Sequence, residues 1–276
     1  MPEPTLKKSE KKASSAKWNA ADYAANSVVQ QAWAREVIGR LDLRGDEHIL
    51  DIGCGDGKVT AEIARALPNG SVTGVDASAE MIAFAKKTFP LKQHSNLEFR
   101  VMDARKIKFA KKFDFLFSNA ALHWVDDHQK FLEGAASVLK PGGRLVVSCG
   151  GKGNAQDVFV ALRPEMRLKR WRGFFRKMPR PYFFYRPADY EKWLPKAGFK
   201  VHRLKLTPKD AAYPGTEGFA TWLRTTWIPY AQCVPENLRE EFIAAVTERY
   251  VAKHTPDAEN KVHVRMVRLE IEAEKE

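Results

Sequence analysis

His48-Ile-Leu-Asp-Ile-Gly-Cys-Gly-Asp-Gly57 is a short apolar run that breaks into three glycines at alternate positions. Lys58-Val-Thr-Ala-Glu-Ile-Ala-Arg-Ala-Leu67 follows, with Val59, Ile63 and Leu67 at helical spacing. The pattern predicts strand, tight loop, helix. Glycine suits such a loop because the backbone must take positive φ, or because a Cβ would keep a ligand from the main chain. The helix N-terminus beyond it offers unpaired N–H groups to an anionic group. A β-turn-α connection with no ligand is the plain alternative reading.

Ser71-Val-Thr-Gly-Val-Asp76 reads as a second strand that ends in a carboxylate 19 positions after Gly57. A doubly wound sheet places an acid there for ribose hydroxyls. The loop is Gly-x-Gly-x-Gly, preceded by Asp51, and lacks the Gly-x-Gly-x-x-Gly spacing of the dinucleotide folds. A third strand, Asn96 to Val101, runs into Met102-Asp103-Ala104 and supplies another carboxylate at a strand end. Taken together, Asp51, the glycines, Asp76 and Asp103 resemble the S-adenosylmethionine-binding set of the class I methyltransferases.

The resemblance continues through Phe113-Asp-Phe-Leu-Phe-Ser-Asn119, which is similar to the family's fourth strand, and Leu139-Lys-Pro-Gly-Gly-Arg-Leu-Val-Val-Ser148, similar to its helix end, turn and fifth strand. Three further features, the Gly45 to Thr60 stretch, Leu122-His-Trp-Val125 and an upstream Tyr23-x6-Gln30, look most like the carboxyl methyltransferases typified by juvenile hormone acid methyltransferase, with trans-aconitate methyltransferase as a second relative. What this implies is an α/β fold with a doubly wound, seven-stranded, mostly parallel sheet and a helical cap.

The resemblance also implies site roles. S-adenosylmethionine would be held by Tyr23, Asp51, Gly53, Cys54, Gly55, Asp76, Ala77, Met81, Asp103, Ala104 and Asn119. Asp76 would take the ribose hydroxyls, Ala77 and Met81 would flank the adenine, and Asp103 with the Ala104 backbone would meet its edge. Gln30 would help hold a substrate carboxylate, and Trp124 would line the acceptor site. Methyl transfer from a sulfonium is an in-line displacement, so the protein mainly aligns the reactants and excludes water. A carboxylate acceptor is already ionised at neutral pH, whereas a hydroxyl or amine needs a base, for which His123 is the candidate. As a neutral or charged donor His123 would instead orient an anion. A histidine bonded to backbone is the competing structural reading.

The expected organisation follows the motifs. Residues 1–17 form a flexible basic leader, 18–45 an N-terminal helical lid, 46–153 the cofactor-binding core, 154–198 a basic aromatic cap, 199–207 a core strand, 208–260 a helical cap, and 261–276 a final core strand and tail. Within the lid, Val29, Trp33, Val37 and Leu41 make a helical stripe. Pro141-Gly-Gly143 is expected to end the helix before the fifth strand. In the final segment, apolar residues alternate at 262, 264 and 266 and then at 267, 269 and 271, which predicts a bulged strand.

The formal charge of +12 is unevenly spread. Five lysines face two glutamates in residues 1–17, and nine cations face Glu165 alone in residues 163–186. The second block suits an anionic substrate, an acidic lipid surface or RNA, or is simply a solvated helix face. No Asn/Asp-Pro-Pro-Tyr follows the fourth strand, no cysteine lies near Asn119, and no RNA-binding spacing is present, so nucleic acid is disfavoured. A small-molecule acceptor with an apolar body and an anionic head is expected. Cys54, Cys149 and Cys233 give neither metal spacing nor a disulfide framework. No apolar run reaches the roughly 18 residues of a bilayer span and no secretion signal is apparent, so a cytoplasmic enzyme is expected. The sequence-level conclusion is a small-molecule O-methyltransferase acting on a carboxylate. A carbon or nitrogen methyltransferase, or a polyanion-binding protein on the same fold, is the alternative.

Overall fold

The computed structural model describes residues 28–276, with side chains from residue 31 onward. Tyr23 and the basic leader fall outside that range, as does the side chain of Gln30. Helix α1 covers Val28–Ile38, and strand β1 (His48–Ile52) follows it. Helix α2 (Lys58–Arg65), β2 (Ser71–Asp76), α3 (Ala79–Thr88) and β3 (Leu97–Val101) come next. Strand β4 (Phe113–Asn119), α4 (His128–Val138) and β5 (Leu139–Gly150) complete the first half.

Seven strands form one sheet in the order β3-β2-β1-β4-β5-β7-β6, where β6 is Phe199–Pro214 and β7 is Lys261–Lys275. The first five strands pair in parallel, and β7 runs antiparallel to both β5 and β6. The chain therefore reverses its direction of winding between β1 and β4, and such a switch point opens a crevice beyond the strands' carboxyl ends.

Alternate residues of the central strands feed two cores. Ile49, Phe115, Phe117 and Val146 pack with Val37 of α1, Leu41 after it and Ile63 of α2 on one side, while Leu50, Leu116, Leu145 and Val147 face Phe131, Leu132, Tyr190 and Leu194 on the other. A third cluster builds the cap. It joins α5 (Gln156–Arg167), α7 (Gly215–Thr226) and α8 (Arg239–Val251), and α6 (Pro187–Lys196) leads from it back to β6.

Three boundaries differ from the sequence expectation. Helix α4 already ends at Val138 and Leu139 pairs with Phe113, so Pro141-Gly142-Gly143 forms an irregularity inside β5 where the register with β4 shifts. Strand β6 runs on to Pro214, so residues 208–214, expected in the helical cap, pair with residues 261–267 of β7. Strand β7 carries no bulge at 266–267. Its pairing with β6 is continuous there, and the irregularity lies in β6 between Val201 and Arg203.

The apparent phase slip in β7 has a different cause. Val262, Val264 and Met266 pack into the cap, where β7 pairs with β6 alone. From Arg268 onward β5 joins on its other edge. The face that carried those apolar residues then carries Arg268 and Glu270, both buried, with Glu270 accepting from Arg203 at 2.6 Å and Arg40 at 3.3 Å. Leu269 and Ile271 keep the opposite face apolar.

Candidate active site

The glycine loop is held in shape by β2. The amides of Gly53 and Cys54 both donate to the Val75 carbonyl, at 2.7 and 3.0 Å, and the Gly57 amide donates to Cys54 at 3.0 Å. Gly53, Gly55 and Gly57 all take positive φ. At two of them space is also decisive: a Cβ on Gly53 would lie 2.1 Å from the Ala121 Cβ, and one on Gly57 would lie 2.7 Å from the Phe99 ring. These glycines let the loop fold tightly between strands and start α2 directly from Gly57.

Asp51 sits under the loop, 2 % exposed, and accepts from the Thr60 hydroxyl at 2.7 Å. Burial pushes its carboxyl up to about 7, and the nearby Asp76 charge adds to the shift. Asp76, at the end of β2, receives the Gly55 amide on Oδ2 at 3.1 Å and the Ser78 amide on Oδ1 at 2.8 Å. Burial raises its pKa while those two amides oppose the rise. Each oxygen has engaged one donor, which leaves a second lone pair on each for hydroxyls.

A crevice opens at the switch point, about 460 Å³ with its solvent-open mouth included, walled by Asp51, the loop residues Gly53, Cys54 and Gly55, Asn119 at the end of β4 and Ala120 after it. Gln31 of α1 also lines it. Five expected cofactor residues thus meet at one cavity, and Asp76 grips its loop from the next strand. Cys54 is buried, and burial raises its thiol pKa, so it packs as a small apolar side chain.

The remaining described cofactor candidates, at and after the ends of β2 and β3, do not line the crevice. Ala77 is exposed. Met81 is 3 % exposed in the first turn of α3, its amide donating to Ser78 Oγ at 3.2 Å. Asp103 caps the turn containing Ala104 and accepts from the Arg105 amide at 2.8 Å and from the Arg105 guanidinium. The Arg105 hydrogen bonds hold its carboxyl below the usual range. Arg105 also reaches Asp126 at 2.9 Å, linking this edge to the segment after Trp124.

The acceptor side is built on the chain leaving β4. Ala120 takes a left-handed conformation, φ 56°, and Leu122–Trp124 make a single turn. A non-glycine residue held at positive φ costs on the order of 1 kcal/mol and persists only where surroundings impose it. Here the Ala120 amide donates to the Ser148 carbonyl at 2.8 Å.

His123 is held as a neutral ring. The Gly150 amide donates to its Nδ1 at 3.3 Å, so the ring proton resides on Nε2. Burial lowers its pKa to about 3, with the Arg268 charge and His128 adding to the effect. The expected base role therefore meets an occupied lone pair and a proton affinity too low for neutral pH. A donor role through Nε2–H is compatible with the geometry.

Trp124 packs against the Tyr182 ring, with centroids 4.7 Å apart and planes tilted by 57°, and His123 lies 6.1 Å from both Tyr182 and Phe184. The basic aromatic segment thus closes over this turn. Its backbone is tied down as well, with the Phe183 amide donating to the His123 carbonyl at 2.8 Å and the Tyr185 hydroxyl to the Asp126 carbonyl at 2.6 Å.

Sequence reasoning missed three contributors. Gln31, rather than a residue with a legible motif, lines the crevice. Arg268 is buried and donates to Asn119 Oδ1 at 3.3 Å and the Ser148 carbonyl at 2.6 Å, with its guanidinium 5.4 Å from the Trp33 ring. The phase slip in β7 was its single trace in the sequence. His128, also buried, has one ring nitrogen 2.8 Å from the Leu122 carbonyl, so Nε2 donates there and Nδ1 accepts from the Tyr190 hydroxyl.

Residues 49–143 match the model of a methyltransferase domain. An uncharacterized methyltransferase of Schizosaccharomyces pombe is 32% identical over 192 residues, 68% of this chain and 72% of that protein. The trans-aconitate 2-methyltransferase of Deinococcus radiodurans is 29% identical over 221 residues, 77% of this chain and 82% of its own length. That of Methylobacterium nodulans is 27% identical over 268 residues, 92% of this chain and 96% of its own. Among solved structures, the YcgJ protein of Bacillus subtilis shares the fold with a TM-score of 0.60 at 18% identity, covering 88% of this chain and 97% of that one. The chain belongs to the class I S-adenosylmethionine-dependent methyltransferases.

Proposed function

We propose that this methyltransferase methylates a carboxylate oxygen of a small molecule. When bound, S-adenosylmethionine supplies an electrophilic methyl group on a sulfonium. Asp76 would receive its ribose hydroxyls, and Asp51, beneath the loop, would offset the charge of its methionyl ammonium group. Asn119 and the turn 122–124 border the acceptor's approach. Trp124 and the rings above it keep water out, and His123 Nε2–H orients the anion.

The observation that carries this reading is the acceptor turn's lack of a usable base. His123 is neutral, its Nδ1 already accepts a backbone hydrogen bond, and its pKa of about 3 leaves it no driving force to deprotonate a hydroxyl or an ammonium at pH 7. A carboxylate needs no such step. The named trans-aconitate 2-methyltransferases support the same substrate class.

Labelled methyl transfer into a panel of carboxylic acids, phenols and amines tests the proposal. Product label should be released by mild base, as an ester's is. Label that survives base, in an ether or an amine, sinks it. Replacing Trp124 with Ala should lower acceptor turnover while leaving S-adenosylhomocysteine affinity unchanged, and Asp76→Ala should do the reverse by weakening the nucleoside about tenfold or more, as loss of a charge-assisted hydrogen-bond acceptor predicts.

A further inference from the structure

We propose that residues 160–177 form a docking surface for membranes rich in acidic phospholipids, set beside the lid of the acceptor pocket. Among the described residues, six large hydrophobic side chains are substantially exposed, and three of them, Val160 (47%), Leu168 (39%) and Phe174 (37%), fall within this short segment. Around them stand Arg163, Arg167, Lys169, Arg172, Arg176 and Lys177, all exposed and none in an ion pair with a described carboxylate. The segment's one acid, Glu165, is buried and consumed by Arg249.

The segment is folded tightly. Amides of Leu168, Trp171, Arg172 and Phe174 close successive turns onto Glu165, Leu168, Leu168 and Trp171. Trp171 and Phe175 turn inward, their rings 5.4 and 5.3 Å from Phe242, and so anchor the turn to the cap. Phe174 and Leu168 remain exposed on this anchored segment. Exposed apolar side chains interleaved with unpaired cations fit an interface that offers negative headgroups above hydrocarbon. A bare polyanion would satisfy the cations and leave the apolar groups in water.

Position adds a consequence. Eight residues after Phe174 the same chain supplies Tyr182, whose ring covers Trp124 at 4.7 Å. A protein docked through this surface would hold the segment that leads to this ring at the bilayer. The docking claim does not depend on which atom is methylated.

Flotation of the full chain with phosphatidylcholine vesicles, with and without phosphatidylserine, tests it. The wild type should float with the serine-containing vesicles only and be released by high salt. Combining Arg167→Glu, Lys169→Glu and Arg172→Glu should weaken that binding by at least about 100-fold, since each cation near an anionic surface contributes roughly fivefold and each new carboxylate is repelled by it. Combining Leu168→Ser and Phe174→Ser should weaken it by about tenfold. All variants should keep the wild-type melting temperature and S-adenosylhomocysteine affinity, and Gln replacements substitute where Glu does not. No vesicle binding by the wild type overturns the proposal. So does binding that survives the charge reversal, which would assign it to the lysines of residues 1–17. Binding untouched by the Ser replacements, with single-stranded RNA captured equally well, would make this a polyanion surface instead.

Discussion

Asp51 shows how much of the site's chemistry is decided at one residue. Its carboxyl, pushed up to about 7 by burial, is largely protonated at pH 6 in the empty protein. A cation docking beside it stabilises the ionised form, so binding at low pH must first release a proton. We predict that S-adenosylhomocysteine affinity falls about tenfold per pH unit below about 7, and that Asp51→Asn binds more weakly at pH 8 with little pH dependence. Titration calorimetry at several pH values checks both, and an unchanged slope in the variant would remove Asp51 from the cofactor site. This residue was legible in the sequence because it stands next to a loop whose glycines have local steric causes, at Gly53 and Gly57 in particular. Gln31 was not legible. A single step along a helix rotates the side chain by about 100°, and the stripe of Trp33, Val37 and Leu41 leaves open which of two adjacent glutamines faces the crevice. Arg268 was hidden for a related reason, since a cation in an alternating strand reads as solvent-facing until the neighbouring layer is known.

Elements, more than residues, set where the acceptor turn lies. Helices α4 and α6 meet through a buried relay in which the Tyr190 hydroxyl donates to His128 and His128 donates to the Leu122 carbonyl. That carbonyl begins the turn carrying His123 and Trp124. Tyr190→Phe keeps the packing but leaves His128 Nδ1 without its donor, a loss of about 1–3 kcal/mol for a buried polar group. The expected outcome is a lower melting temperature and a raised acceptor KM, with S-adenosylhomocysteine affinity unchanged. If KM stays at the wild-type value while stability falls, the relay is merely structural. The elements themselves were readable from the sequence where a local pattern defined them, as in β1, β2, β4 and the Ser78-capped α3. They were misread where a distant partner decided the outcome. Residues 208–214 fall in the expected helical cap, but pairing with β7 extends them as strand. Pro141-Gly142-Gly143 carries the composition of a helix stop, yet Leu139 is already drawn into the sheet by Phe113.

At the scale of the whole molecule, the buried titratable groups oppose one another, and their balance predicts how the protein responds to acid. His128 and His123, with pKa values lowered to about 4 and about 3 by burial, stay neutral in the fold down to values at which the unfolded chain has taken up both protons. Stability from these two is therefore full above about pH 6.5 and is lost as pH falls toward 4. Asp51 acts with the opposite sign. Its raised pKa means the fold holds a proton that the unfolded chain has released between about pH 4 and 7, so this residue costs stability at neutral pH and recovers it in acid. His263, held on the surface between Asp210 and Asp257, is protonated in both states through most of this window. Counting the two histidines and Asp51, the unfolded chain binds about one proton more than the fold over the middle of the range, which corresponds to about 1.4 kcal/mol per pH unit, and Asp76, also raised by burial, offsets part of that difference. Chemical denaturation of the wild type at pH 6.5 and 4.5 should show a loss of about 2–3 kcal/mol. In Asp51→Asn the compensating proton is gone, and the loss over the same interval should approach twice that. A variant whose stability declines no faster than the wild type's would mean that Asp51 is ionised in the folded protein at pH 6, and the proton-linked cofactor binding predicted from it would fail together with it.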